Sequence, residues 1–203
     1  MTLITPPAAL PVRRIQWQRR QPAQVNRSGW TGRRQVVGLP GGSLWTASGE
    51  FVPLVKQSNV LQWRGFFASL RGPFNTFNLT AVEEAQHALS QPTITAGTAG
   101  AFTATMTGLP VSTTLLPAGS FITIKLSDAS YQLVTLTAAL AGNGAGTGTA
   151  TFDAPLRNTA ATGAGSVETI SPWCVVAMAS DTWGYDVEPG QIYGMGFSVE
   201  EVF

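Results

Sequence analysis

Gln57 to Leu79 reads QSNVLQWRGFFASLRGPFNTFNL, the one amphipathic helical stretch in a chain that elsewhere reads as β-strand and turn. Val60, Leu61, Trp63, Phe66, Phe67 and Leu70 recur at three- and four-residue intervals, so they are expected to form one apolar face. Ser58 or Asn59 is the expected cap at the start, and Gly72-Pro73 the stop, ahead of a short strand over 76–80. One helix among strands, with no nucleophile, base or metal-ligand cluster beside it, points to a building block rather than a catalyst.

Upstream of the helix, residues 1–12 (MTLITPPAALPV) are Pro-rich and expected to be an extended arm lying on another surface. Residues 14–18 read as a strand with Ile15 and Trp17 on one face. Residues 24–30 and 33–39 alternate loosely, with turns expected at Asn26-Arg27-Ser28-Gly29 and Leu39-Pro40-Gly41-Gly42. Residues 43–54 (SLWTASGEFVPL) offer Leu44, Trp45, Phe51, Val52 and Leu54 to a core.

Downstream, the composition changes near residue 90. Residues 91–170 lack Trp, carry few charges and are rich in Thr, Ala and Gly. Strands are expected over 100–107, 120–126, 131–137, 147–152 and 166–169, a spacing that suits a small antiparallel barrel or sandwich. Tryptophan returns at Trp173 and Trp183, and Tyr193, Met195, Phe197 and Val199 alternate as a closing strand. The expected architecture is mainly β. Residues 1–88 and 171–203 would form a discontinuous β-sandwich with one flanking α-helix and the N-terminal arm. Residues 89–170 would be an inserted small antiparallel β-barrel.

Charged residues make up 11% of the chain, less than half the share of ordinary globular domains. With an apolar fraction of 44%, this favours a surface partly covered by other subunits over disorder. The net charge of +1 conceals an asymmetry. Residues 1–80 hold nine arginines and Lys56 against Glu50 alone, a balance of +9; residues 81–203 carry Lys125 and Arg157 against ten acids, a balance of −8. Opposite charges on two parts of one chain suit contacts between neighbouring copies, or pairing within one chain. The lone cysteine, Cys174, excludes a disulfide framework and is expected to be a small buried apolar residue. Neither a signal peptide nor a membrane span is expected.

Catalytic and cofactor readings find little support. His87 is the only histidine; near Glu83 and Glu84 it lacks convergent metal ligands and reads as part of a solvated linker. Glu83-Glu84 and Glu200-Glu201 are adjacent pairs, and neighbours on a strand point to opposite faces, so neither pair flanks one substrate atom. Gly142 to Gly148 lacks the Lys-Ser/Thr and helix of a phosphate cradle. No enzyme activity, cofactor or metal site is therefore expected. Arginines interspersed with Trp17, Trp30, Trp45 and Trp63 suggest nucleic-acid stacking. The competing reading, preferred here, places these tryptophans in the core and the arginines at interfaces.

Five stretches carry a family resemblance: SGWTGRRQV (28–36), LWTASGEFVPL (44–54), FFASLRGPFNTFNL (66–79), LLPAGSFITI (115–124) and, after the strand over 131–137, GTATFDAPLR (148–157). Together they resemble distal tail proteins and related small tail-tip proteins of long-tailed (siphovirus-type) bacteriophages. The resemblance implies a tail-tube-like β-sandwich with a flanking helix and a small inserted barrel. It also implies a homo-hexameric ring in the virion tail tip, made in the host cytoplasm. Such a ring joins the tail-tube protein to tail-tip hub proteins around a channel through which DNA passes, without membrane insertion. The family has no catalytic residues to carry over, and this chain lacks the large carbohydrate-binding extension of some relatives. The expected interface residues are Arg13, Arg14, Arg19, Arg20, Arg33 and Arg34. Two alternatives stand beside this reading. One is a carbohydrate-binding module using Tyr131, Trp183, Tyr185 and Tyr193; the other is a tail-tube subunit.

Overall fold

A computed structural model describes residues 1–39 and 42–203; the turn expected at 39–42 falls partly on Pro40 and Gly41, outside the described residues. In chain order the elements are β1 (Val12–Arg20), β2 (Ala23–Arg27), β3 (Arg34–Gly38), β4 (Leu44–Phe51), β5 (Leu54–Val55), α1 (Gln57–Leu70) and β6 (Thr76–Thr80). There follow β7 (Thr93–Ala96), β8 (Thr103–Thr107), β9 (Thr114–Leu116), β10 (Phe121–Lys125), β11 (Tyr131–Thr135), β12 (Leu140–Ala141), β13 (Thr147–Thr151) and β14 (Val167–Glu168). The chain ends with β15 (Trp173–Met178), β16 (Tyr185–Glu188) and β17 (Ile192–Glu201). The fold is mainly β, with several antiparallel sheets and one α-helix among the described residues. Among the described residues no helix is long and apolar enough to cross a membrane.

Contacts divide the chain into two compact units. The first gathers Met1–Arg19, Leu44–Leu79 and Val175–Val202; the second gathers Arg20–Ser43, Thr80–Cys174 and Phe203. The divisions therefore fall at 79/80 and 174/175, whereas the sequence suggested 88/89 and 170/171. Residues 20–43, read from sequence with the outer domain, group with the second unit.

The first unit is organised by β17, a long strand whose alternate side chains Tyr193, Met195, Phe197, Val199 and Glu201 are buried. The sheet order is β1-β4-β17-β15-β6. The first part of β17 also pairs with β16 and β5, through Tyr193 opposite Val187 and Leu54. Helix α1 buries Val60, Trp63, Phe66, Phe67 and Leu70. Phe51 packs against three rings of this core: Trp63 at 5.0 Å, Phe67 at 5.9 Å and Phe197 at 6.0 Å. Phe66 meets Phe77 edge-on at 5.3 Å. Each such buried ring contributes about 1.5–3 kcal/mol through area removed from water.

Several expectations for this unit are corrected. Leu61 does not share the buried face and is 53% exposed; at ~100° per residue it lies about 160° round the helix from Trp63. Neither Ser58 nor Asn59 is the N-cap. Lys56 occupies that position without a side-chain cap bond, and the Asn59 amide donates to the Val55 carbonyl at 2.8 Å. Helix α1 ends at Arg71 in the left-handed conformation (φ 52°), followed by a 3-10 turn over Gly72–Phe74. Val52, expected in the core, is 46% exposed. The N-terminal arm lies on its own unit: Thr2 and Ile4 bracket Thr76, the Ile4 N–H donating to Thr76 O (2.7 Å) and the Thr76 N–H to Thr2 O (3.1 Å).

In the second unit, β10 pairs with β11 and β14, β8 with β7 and β13, and β9 with β12. These are short antiparallel sheets, and none closes on itself into a barrel. Ile94, Met106, Leu116, Ile122, Ile124 and Leu136 are fully buried in one apolar cluster. Isolated bridges link strands across the sheets, at Ile94–Gly163, Leu126–Ala160 and Leu136–Phe152. Cys174 is buried and forms no disulfide.

Candidate assembly surface

Strand β1 is an edge of the large sheet, next to β4. Its alternation leaves Arg13, Arg14 and Arg20 exposed while Ile15, Trp17 and Arg19 face inward, half-buried. Trp17 meets Trp45 edge-on at 6.1 Å, and the Arg19 guanidinium sits 4.7 Å over the Trp45 ring. Of the six arginines expected at an interface, Arg19 is thus engaged by the sheet's own aromatic layer, a cation–π arrangement. Arg14 instead borders a concavity of about 270 Å³ with Glu50 and Phe197.

Strands β2 and β3 form a hairpin whose strand residues are all exposed. The turn runs from Ser28 to Arg33, later than expected; Asn26 and Arg27 belong to the strand. Ser28 donates its N–H to Arg33 O (3.0 Å), and its hydroxyl accepts the Thr31 N–H (3.2 Å). Gly32 takes the left-handed conformation (φ +67°), which glycine adopts without a Cβ penalty. The register sets Val25 opposite Val36 and Arg27 opposite Arg34. Residues two apart share a face, so the valine pair and the arginine pair lie side by side on one face. Trp30, in the turn, is 97% exposed; this corrects the expectation that it joins the core with Trp17, Trp45 and Trp63. Arg27, Arg33 and Arg34 surround a concavity of about 590 Å³ at this end of the hairpin.

Strand β16 offers a contrasting edge. Among the described residues it pairs only with β17. Asp186, Val187 and Glu188 are all exposed, Val187 by 57%. The stretch 179–203 contains five acids and no Lys or Arg. The aromatic residues beside this edge stack on one another. Trp183 lies 6.0 Å from Phe67 at 22° and 6.3 Å from Tyr185 at 29°, and Arg64 sits 4.7 Å over Tyr185. Tyr193 is buried, and Tyr131 packs on Trp173 at 4.6 Å within the second unit. Of the four aromatics considered for sugar stacking, Trp183, Tyr185 and Tyr193 follow one another at 6.3 and 6.2 Å in the first unit, and Tyr131 belongs to the second.

His87 is not in a solvated linker. It is half-buried, with Nδ1 accepting the Leu89 N–H (3.2 Å) and Nε2 donating to Thr169 Oγ1 (2.8 Å). The Thr169 hydroxyl donates to Gln91 Oε1 (2.8 Å), and the Gln91 amide donates to Glu168. Gln86 adds bonds to both Phe121 backbone groups and to Thr169 O. Burial lowers the His87 pKa below its ordinary 6.5, against smaller opposing effects of the Leu89 hydrogen bond and the Glu168 charge. Asp128 is held below the usual carboxylate range by hydrogen bonds from the Ser130 hydroxyl (2.6 Å), the Ser130 N–H (3.0 Å) and Asn158 (3.2 Å). These bonds build a turn. Among the described residues no group of three His, Cys, Asp or Glu side chains converges as a metal site.

The chain matches no protein-family model, and no curated protein matches it.

Proposed function

We propose that this chain is a structural virion component, a distal tail protein whose copies close into a hexameric ring between the tail tube and the tail-tip hub. It acts by assembly and not by catalysis. The first unit serves as a tail-tube-like β-sandwich with helix α1 on its flank, and the second carries a small barrel-like module. The ring surrounds the channel through which DNA passes.

The observation that carries this reading is the β2–β3 hairpin. It exposes Val25, Val36, Val37, Leu39 and Trp30 together with three arginines. Exposed apolar residues gathered on one element, beside charge, are the mark of a protein–protein contact. The low overall charge and its division between the two parts of the sequence agree with a chain whose surface is completed by neighbours. A tail-tube subunit would share these features but stack into long tubes. Labelling the chain in intact particles with an antibody against it separates the two. Signal confined to the tail tip supports the distal reading, whereas signal along the tail length rejects it.

A further inference from the structure

We infer that the β2–β3 hairpin of one copy docks on the open β16 edge of a second copy, setting Arg27 and Arg34 against Asp186 and Glu188. The inference rests on the ring reading above and names the seam that would close such a ring.

The hairpin itself is unfinished. Arg27 and Arg34 are cross-strand partners, and like charges directly opposite one another destabilise a ladder. Beside them Val25 and Val36 form an apolar pair, 46% and 50% exposed. A two-stranded ribbon of this kind is marginal alone in water. A partner that supplies carboxylates next to an apolar side chain relieves both defects.

Strand β16 has that composition. Asp186 and Glu188 are two apart and share a face with half-buried Ile192, the register partner of Glu188, while Val187 is exposed on the opposite face; the strand has one ladder partner among the described residues. Its outer N–H and C=O groups are a template for strand addition. The two surfaces are matched in charge: residues 20–43 carry four arginines and no acid, and 179–203 carry five acids and no base. Because hairpin and edge are different surfaces, the contact is heterologous and propagates from copy to copy until a ring closes. Nucleic acid is the other polyanion that suits the arginines, but its phosphates would meet the arginines alone and leave Val25 and Val36 unmatched. The valine pair therefore favours protein.

Paired charge reversals test the seam in the full-length chain. The variants are R27E/R34E on the hairpin and D186K/E188K on the edge. All four positions are exposed, so each variant should keep the native circular-dichroism spectrum and melting temperature. Each alone should associate on the order of a hundredfold more weakly than the native chain by light scattering. Mixed together, the two should recover association, because every reversed hairpin then meets a reversed edge. Native-strength association by either variant alone overturns the seam while leaving the ring reading in place. Failure of the mixture to recover does the same. A native chain that stays monomeric at every concentration overturns both. Salt-sensitive binding of an oligonucleotide that is lost in R27E/R34E, with self-association unchanged, reassigns the hairpin to nucleic acid.

Discussion

Arg27 and Arg34 face each other across the β2–β3 ladder, two positive side chains at one register position of a hairpin whose strands are exposed throughout. In an isolated copy this pairing opposes hairpin formation. It becomes favourable only when an anionic surface lies against it.

The pair therefore gives one substitution two opposite effects. Arg34→Glu converts repulsion into a cross-strand ion pair, worth roughly 0.2–1 kcal/mol locally. Backbone amides of β2 and β3 in the monomer should then exchange with deuterium about two- to fivefold more slowly. Assembly should weaken in the same variant. Faster exchange in the monomer would count against the register described for this hairpin.

Trp30 offers an optical readout. Its side chain is almost fully solvated, so Trp30→Ala should leave stability within about 0.5 kcal/mol of native. The difference in emission between the native chain and Trp30→Phe should be red-shifted in dilute protein and move to shorter wavelength on assembly. An emission difference that stays constant with concentration would exclude Trp30 from the contact.

Within the first unit, Phe197 lies across Gly49, its partner in the β4–β17 ladder. A Cβ at position 49 would come within 2.5 Å of the Phe197 ring, which is itself held by Phe51 at 6.0 Å. Gly49→Ala should destabilise the chain by about 1–3 kcal/mol through overpacking. Adding Phe197→Leu should make the two effects less than additive in a double-mutant cycle. Simple additivity in denaturant melts would show that the contact is not tight.

His87 predicts a pH response with a defined sign. Its folded pKa lies below 6.5 because burial disfavours the charged ring. The unfolded chain takes up the proton first as pH falls, so this group's contribution is constant above about pH 6.5 and declines between that value and the folded pKa. Melting temperature should therefore fall as the pH drops below about 6.5, and His87→Gln should flatten that slope. A slope unchanged in the variant would assign it to other groups.

Much of the scaffold is legible in local pattern. The period of residues 57–70 marks α1, and the alternation of Tyr193 to Val199 marks β17, because each periodicity follows from backbone geometry alone. What local pattern misses is set by long-range pairing. The short strands β9 and β12 exist through each other, with Leu116 opposite Leu140, and carry little periodicity of their own. Leu61 looks like core because its neighbours are apolar, but its angle around the helix decides otherwise.

The candidate surface divides in the same way. An arginine-rich region within 13–34 is readable from composition. The cross-strand position of Arg27, the solvation of Trp30 and the open edge of β16 depend on register. Asp186 and Glu188 carry no motif, and only the position of β16 beside β17 gives them meaning. The packing of Trp183 against Phe67 is likewise a tertiary contact between residues distant in sequence.

The central claim is that copies of this chain close into a ring. Its most direct test is the mass of the purified native protein by light scattering, joined to negative-stain imaging of the same sample. The account predicts a discrete hexameric species seen as closed rings with a central channel. A homogeneous monomer across the accessible concentration range, or open filaments without closure, would contradict it.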